Sequence, residues 1–219
     1  MFYAAIAFNQ SLSSFDTSLV TNMYGMFRFT TNFNQNLSGW CVSQFSSEPP
    51  FFSGNSALIA ANKPNWGTCS YIFTSKSELQ TAVDEWIDNN SSALVTYGAI
   101  NTWNVSQIED MSYLFSGKST FNEDISDWDT SKVTNMSGMF YGANAFNNGE
   151  NAGDSTKPLN FDTSKVVIMT EMFRTAASFN QSLSSWDTSL VTNMYGMFYD
   201  AAYFNQSLSS FDTSKFTDM

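Results

Sequence analysis

The 219-residue chain sets nine Lys and Arg against twenty Asp and Glu, a formal charge of -11, with 42% hydrophobic and 16% aromatic residues and no histidine. This supplies ample material for a core and repels phosphate backbones and anionic membranes, which excludes nucleic acid as an expected partner. The missing histidine removes the commonest general base and metal ligand, and no apolar run is long enough for a spanning helix.

In chain order, residues 1–40 read as the last repeats of one array. The string at 8–27, FNQSLSSFDTSLVTNMYGMF, returns almost unchanged at 179–198. An aromatic marks each copy at Phe15, Trp40, Trp103, Trp128, Phe161, Trp186 and Phe211, and the steps 103–128, 161–186 and 186–211 are equal. A fixed period of this length signals repeats that bury their apolar faces only by stacking on neighbours. Met1-Phe2 aligns with Met26-Phe27 and Met197-Phe198, and Thr217-Asp218-Met219 with Thr192-Asn193-Met194. Both ends are therefore expected to lie inside repeats of a longer polypeptide.

Residues 41–69 break the pattern with Pro49, Pro50, Gly54 and Pro64, and the only two cysteines, Cys41 and Cys69, bracket them. The segment is expected to be a C-terminal cap. A Cys41–Cys69 disulfide would clamp it by about 3 to 4 kcal/mol on the chain-entropy model and point to an oxidising compartment; two buried thiols are the alternative. Residues 70–76 follow as a linker, and 77–102 as the helical N-terminal cap of the next array. There Ser77 and Gln80 stand at capping-box spacing, Leu79, Val83, Trp86 and Ile87 form an apolar stripe, and Asn89-Asn90-Ser91 ends the helix. Residues 103–219 carry five further repeats, with eight extra residues near 147–157 that are expected to form a surface loop.

Within a repeat, Leu183, Trp186 and Thr188 suit a short strand, while Val191, Met194, Met197, Phe198 and Ala201 recur at helical spacing. The expected fold is a leucine-rich-repeat-like solenoid, one short β-strand plus one short α- or 3-10 helix per repeat, with terminal caps. The eleven Met and twenty-one Phe recur strictly, as core residues do. Asn9, Asn34, Asn122, Asn147, Asn180 and Asn205, each following a repeat Phe, are expected to form an internal amide ladder.

The Asp-Thr-Ser triplets place one carboxylate per repeat at Asp16, Asp129, Asp162, Asp187 and Asp212. The expectation is helix N-capping, and the sharper alternative is calcium, which takes oxygen ligands of this kind. Asn36, Asn89, Asn90, Asn104 and Asn135 stand in Asn-X-Ser sequons and are candidate glycosylation sites in a secreted chain. The acid pairs Glu109-Asp110 and Glu123-Asp124 read as solvated surface charge. Nothing spells out a reaction: no Walker loop, zinc spacing or GxSxG elbow is present. The chain is expected to be no enzyme and to need no cofactor, calcium being the sole alternative.

The string W-D-T-S-x-V-T-N-M-x-G-M-F, at 128–140 and 186–198, resembles the BspA-like leucine-rich-repeat surface proteins, in their short-period Trp-Asp-Val/Thr-Ser variant. The resemblance covers most of the chain outside 41–102. It implies a large, secreted or surface-anchored protein with roles in adhesion or surface structure, and it supplies no catalytic residues. The resulting expectation is a non-catalytic extracellular structural or adhesive protein of serial capped modules, forming a fibre or surface layer. Its expected partners are copies of itself, neighbouring modules, matrix or glycans, without membrane insertion by this segment. The alternative is a calcium- or glycan-binding surface module.

Overall fold

The computed structural model describes residues 1–12, 15, 17, 19–68 and 71–218. They form two compact units, Met1–Tyr71 and Ile72–Met219. Helix accounts for only 13% and strand for 3% of the chain, and the described residues contain no sheet. The expected strand-helix solenoid is therefore corrected. Each repeat is a layer made of turns, and among the described residues the only strand-like features are isolated parallel bridges, Asp110 to Asn135 to Ile168 to Asn193 to Asp218 in the second unit, with Ile72 to Asn104 before them.

The apolar spacing that suggested a helix has another cause. In each layer every fourth residue takes a left-handed backbone: Tyr113 and Gly117, Gly138 and Gly142, Glu171 and Thr175, Gly196 and Asp200. A positive φ interrupts any α-helix. Tandem turns result instead, closed by bonds such as Met139 N to Met136 O (3.2 Å) and Ala143 N to Phe140 O (3.0 Å). The intervening N–H groups reach the next layer. Met136 N donates to Ile168 O, Gly138 N to Thr170 O, Phe140 N to Met172 O and Gly142 N to Arg174 O, all at 2.8–3.0 Å. Successive four-residue turns place Met136, Met139, Phe140 and Ala143 inward, mimicking helical periodicity.

The core of the second unit is a double column of phenylalanines. Phe115, Phe140, Phe173 and Phe198 stack at 5.4, 5.4 and 5.7 Å between centroids, and Phe121, Phe146, Phe179 and Phe204 at 5.6, 5.9 and 5.9 Å. Within each layer the two rings lie 4.0–4.1 Å apart. Beside them Trp103 stacks on Trp128 and Phe161 on Trp186. The indole N–H groups of Trp103, Trp128 and Trp186 donate to Gly98, Ile100 and Leu159 carbonyls, so these rings meet the bonding needs of a buried tryptophan.

At the start of this unit α1 (Lys76–Asp88) and α2 (Asn90–Tyr97) cover the first layer. Trp86 meets Trp103 edge-on at 5.8 Å, and Gln80 donates to Leu114 O. The cap residues differ from expectation. Ser75, not Ser77, is the N-cap, accepting from Glu78 N, while Glu78 accepts from Thr74 N. Asn89 ends α1 and also opens α2, accepting from Ser92 N, so the chain turns and continues helically where an end was expected.

The first unit repeats the scheme. Phe2 stacks on Phe27 and Phe8 on Phe33, with the Trp40 indole donating to Leu12 O. The segment read as an aperiodic cap supplies a further layer: Phe27 N donates to Phe52 O, Phe29 N to Gly54 O, Leu37 N to Asn62 O and Val42 N to Thr68 O. Phe52 turns edge-on to Phe27 at 84°, and Trp66 turns edge-on to Phe52, which ends the parallel column.

Candidate functional site

The polar residues of the repeats fall into columns, and one local device generates most of them. A side-chain oxygen of Asp or Asn accepts the backbone N–H two residues on, an Asx-turn. Asp129, Asp162, Asp187 and Asp212 hold Ser131, Ser164, Ser189 and Ser214 in this way at 2.9–3.1 Å. Turns follow these carboxylates, so the helix-capping role expected of them is corrected to turn-capping. Asp16 lies outside the described residues. Asp110, Asn135 and Asn193 form a second column of the same device.

The sequons share this geometry. Asn36 accepts from Ser38 N, Asn104 from Ser106 N and Asn135 from Ser137 N, so the Asn-X-Ser spacing is also the spacing of an Asx-turn. Those three side chains are half-buried. Asn89 and Asn90, at the junction of α1 and α2, are exposed.

The electrostatics follow from the same bonds. Asp187 lies below the usual carboxylate range because Ser189 donates its N–H and then its hydroxyl; neighbouring Asp212 opposes this and Lys215 assists it. Asp212 is lowered by Ser214 in the same manner. For Asp110, burial pulls the carboxyl upward, but bonds from Ser112 and Lys76, with the Lys76 charge 3.1 Å away, hold it low. Among the described residues no three or more Cys, Asp or Glu gather to hold a metal.

Of the acid pairs, Asp110 and Asp124 are engaged, while Glu109 and Glu123 are exposed. Asp110 is bound as described, and Asp124 accepts from Ser126 and faces Lys157 at 3.5 Å. The insertion at 147–157 is anchored from beneath by buried amides. Asn147 donates to the carbonyls of Asn151 and Asp154, Asn148 to Lys157 O, and Gln181 to Asp154 O, while Gln181 accepts from Lys157 N. Cys41 is disulfide-bonded and no described cysteine is free; Cys69, its expected partner, lies outside the described residues.

The Asn amides form a ladder in which the side-chain NH2 groups of Asn122, Asn147 and Asn180 donate to carbonyls of Glu150, Asn151 and Gly153, and the side-chain oxygens join the layers. Each Asn side-chain oxygen accepts the backbone N–H of the Asn one layer on: Asn122 from Asn147, Asn147 from Asn180 and Asn180 from Asn205, at 2.7–2.8 Å. Sequence reasoning missed a second ladder. The buried hydroxyls of Thr130, Thr163 and Thr188 donate to the carbonyls of Asp162, Asp187 and Asp212 in the next layer. Its signal was present, since Thr sits at the centre of every Asp-Thr-Ser triplet.

Repeating columns of turn-capping polar groups around an aromatic core define a tandem-repeat protein. Three stretches, 1–86, 88–156 and 151–219, match the family described as Mycoplasma protein of unknown function, DUF285, and the chain belongs to that family. The match covers a repeat family without extending to a leucine-rich-repeat motif. Neither the curated proteins nor the solved structures contain a match.

Proposed function

We propose that this chain is a non-catalytic extracellular protein with a structural or adhesive role at a cell surface. The observation that carries the reading is the use to which the polar residues are put. Asp, Asn, Thr and Ser recur layer after layer as turn and ladder bonds, and Asp110 and Asp124 of the acid pairs are tied to lysine and serine. No helix among the described residues is long and apolar enough to cross a membrane. Protease shaving and immunogold labelling of producing cells test the reading. Label on the outer surface, lost on shaving, is expected; label confined to the cell interior would overturn it.

A second reading, glycan binding, has one observation in its favour. Tyr113, Tyr195 and Tyr199 expose half or more of their surface, and the Tyr113 ring lies across Gly138. Flat exposed rings offer apolar faces to a sugar. Titration with oligosaccharides, read by tyrosine fluorescence, decides it, and silence across a broad panel removes it. Calcium is tested in the same sample. With their Asx-turns already closed, the Asp carboxylates are expected to give the same melting temperature with millimolar calcium and with chelator.

A further inference from the structure

The chain has two arginines, Arg28 and Arg174, and each directly follows a Met-Phe pair, so they hold the same place of the repeat in different units. Both guanidinium groups lie over two aromatic rings. That of Arg174 is 5.7 and 4.6 Å from the Tyr141 and Tyr199 centroids, and that of Arg28 is 4.8 and 4.5 Å from those of Phe29 and Phe51. Their charges are handled differently. Arg174 is ion-paired with Glu171, three residues before it. The residue three before Arg28 is Gly25, and among the described residues the Arg28 guanidinium has neither a carboxylate nor a hydrogen-bond acceptor. Glu48, which accepts from Ser53 one repeat after Arg28, is already taken up by Lys63 at 2.8 Å.

Arg28 is half-buried, and its side chain packs against Phe51 and Gly54 of the following layer. Stacking on rings engages the faces of a guanidinium and leaves the donors along its edge unmet. Beside it lies a pocket of about 500 Å³. Tyr24 is 59% exposed, lines this pocket and meets the exposed Phe51 ring edge-on at 5.5 Å, so pocket and arginine share an aromatic wall. The remaining wall brings the hydroxyls of Thr21, Ser46 and Ser47 and the amide of Asn22. Each part suits one part of an acidic sugar. Exposed rings offer apolar faces to a pyranose, hydroxyls and amides bond its hydroxyls, and a planar fork of donors takes a carboxylate through two bonds.

From this arrangement we propose that Arg28, Tyr24 and Phe51 form a binding site for a uronate-bearing saccharide, whose carboxylate the Arg28 guanidinium holds. The inference rests on the glycan reading above, gives it a site in the first unit and names the sugar. The formal charge of -11 narrows the ligand further. A densely charged polyanion is repelled by the chain as a whole, whereas one carboxylate among neutral sugars meets little of that repulsion. The second unit shows how the site is closed. Glu171 takes a left-handed backbone with φ of 55° where Gly25 has 60°, so a glutamate fits the backbone at position 25 and would put a carboxylate on Arg28 from within the chain.

Isothermal titration calorimetry of the full chain tests this, with a xylotetraose carrying one glucuronate and with the same oligosaccharide after reduction of its carboxyl. The acid is expected to bind with a Kd below about 1 mM and the reduced form at least about tenfold more weakly. R28Q and G25E each lose that preference, and R28K, which keeps the charge without the fork, loses most of it. K165Q removes an exposed cation of the second unit and keeps it. G25E leaves the arginine in the chain, so the test stands even where R28Q disturbs the fold. Equal affinity for the acid and its reduced form, or an undiminished preference in both R28Q and G25E, would overturn the inference. So would equal affinity for an acetylated tetrapeptide with a single aspartate, which would make the ligand a peptide carboxylate. Binding of neutral oligosaccharides without preference for the acid leaves the glycan reading standing; silence toward both sugars removes the two together.

Discussion

The double phenylalanine column makes a quantitative prediction. Phe140 is fully buried and touches rings above, below and beside it: Phe115 and Phe173 at 5.4 Å and Phe146 at 4.0 Å. Replacing a buried Phe by Ala loses the transfer energy and leaves a cavity, about 3–5 kcal/mol. Phe198 holds the same place in the 198–213 layer, is half-buried, and among the described residues meets the rings of Phe173 at 5.7 Å and Phe204 at 4.0 Å. With two ring contacts in place of three and part of its surface wet, F198A in this 219-residue chain is expected to cost about half as much, ~1.5–2.5 kcal/mol. F140L keeps most of the apolar area but loses the ring contacts, and should cost about 1–2 kcal/mol. Urea denaturation with peptide-resolved hydrogen exchange across 103–218 separates these losses from the first unit. Equal losses for F140A and F198A would refute a stack whose stability is a sum of neighbour contacts.

Four further outcomes are expected. T163V leaves the Asp187 carbonyl without its buried donor and should cost about 1–2 kcal/mol, T163S far less; equal effects would show that the hydroxyl contributes nothing. At Gly138, φ is +56° and an added Cβ would overlap the Tyr113 ring, so G138A should lower Tm and loosen Tyr113 in near-ultraviolet dichroism. Asp187 and Asp212 are lowered in the folded chain, so their contribution is present above the ordinary carboxylate value of about 3.9 and is lost as pH falls through their folded values. The double variant D187N/D212N should therefore lose stability less steeply on acidification, and an unchanged slope would count against the Asx-turn bonds. Reducing the disulfide at Cys41 should cost the first unit about 3–4 kcal/mol and leave hydrogen exchange in 103–218 unaltered.

Much of the layer was legible in the sequence, because a fixed recurrence of Phe, Met and Trp can be satisfied only by stacking. The secondary structure was not. Val191, Met194, Met197 and Phe198 face inward as expected of a helix, yet four-residue turns with left-handed junctions give the same spacing. The contrary signal was the Gly of the Met-Tyr-Gly-Met and Met-Ser-Gly-Met strings, at Gly25, Gly138 and Gly196, each with positive φ. The segment 41–69 looked aperiodic because its prolines masked the register, although Phe52 stands one full repeat after Phe27. Of the polar columns, the Asp and Asn positions were visible, but their partners were sought in helices, ions and glycans rather than in the serine two residues away. The Thr ladder was overlooked since a mid-motif Thr reads as filler until its burial is known.

The bonds that join layers also determine how such a chain would yield to force. Each layer is held to the next by a handful of N–H to carbonyl bonds and two ring contacts, and among the described residues no sheet or long helix ties distant layers together. Tension along the chain would strip one layer while its neighbours stay folded. Each lost repeat frees roughly 80–90 Å of extended chain. A tether built this way lengthens in equal increments and re-forms one layer at a time, with the eight extra residues near 147–157 marking a single longer step.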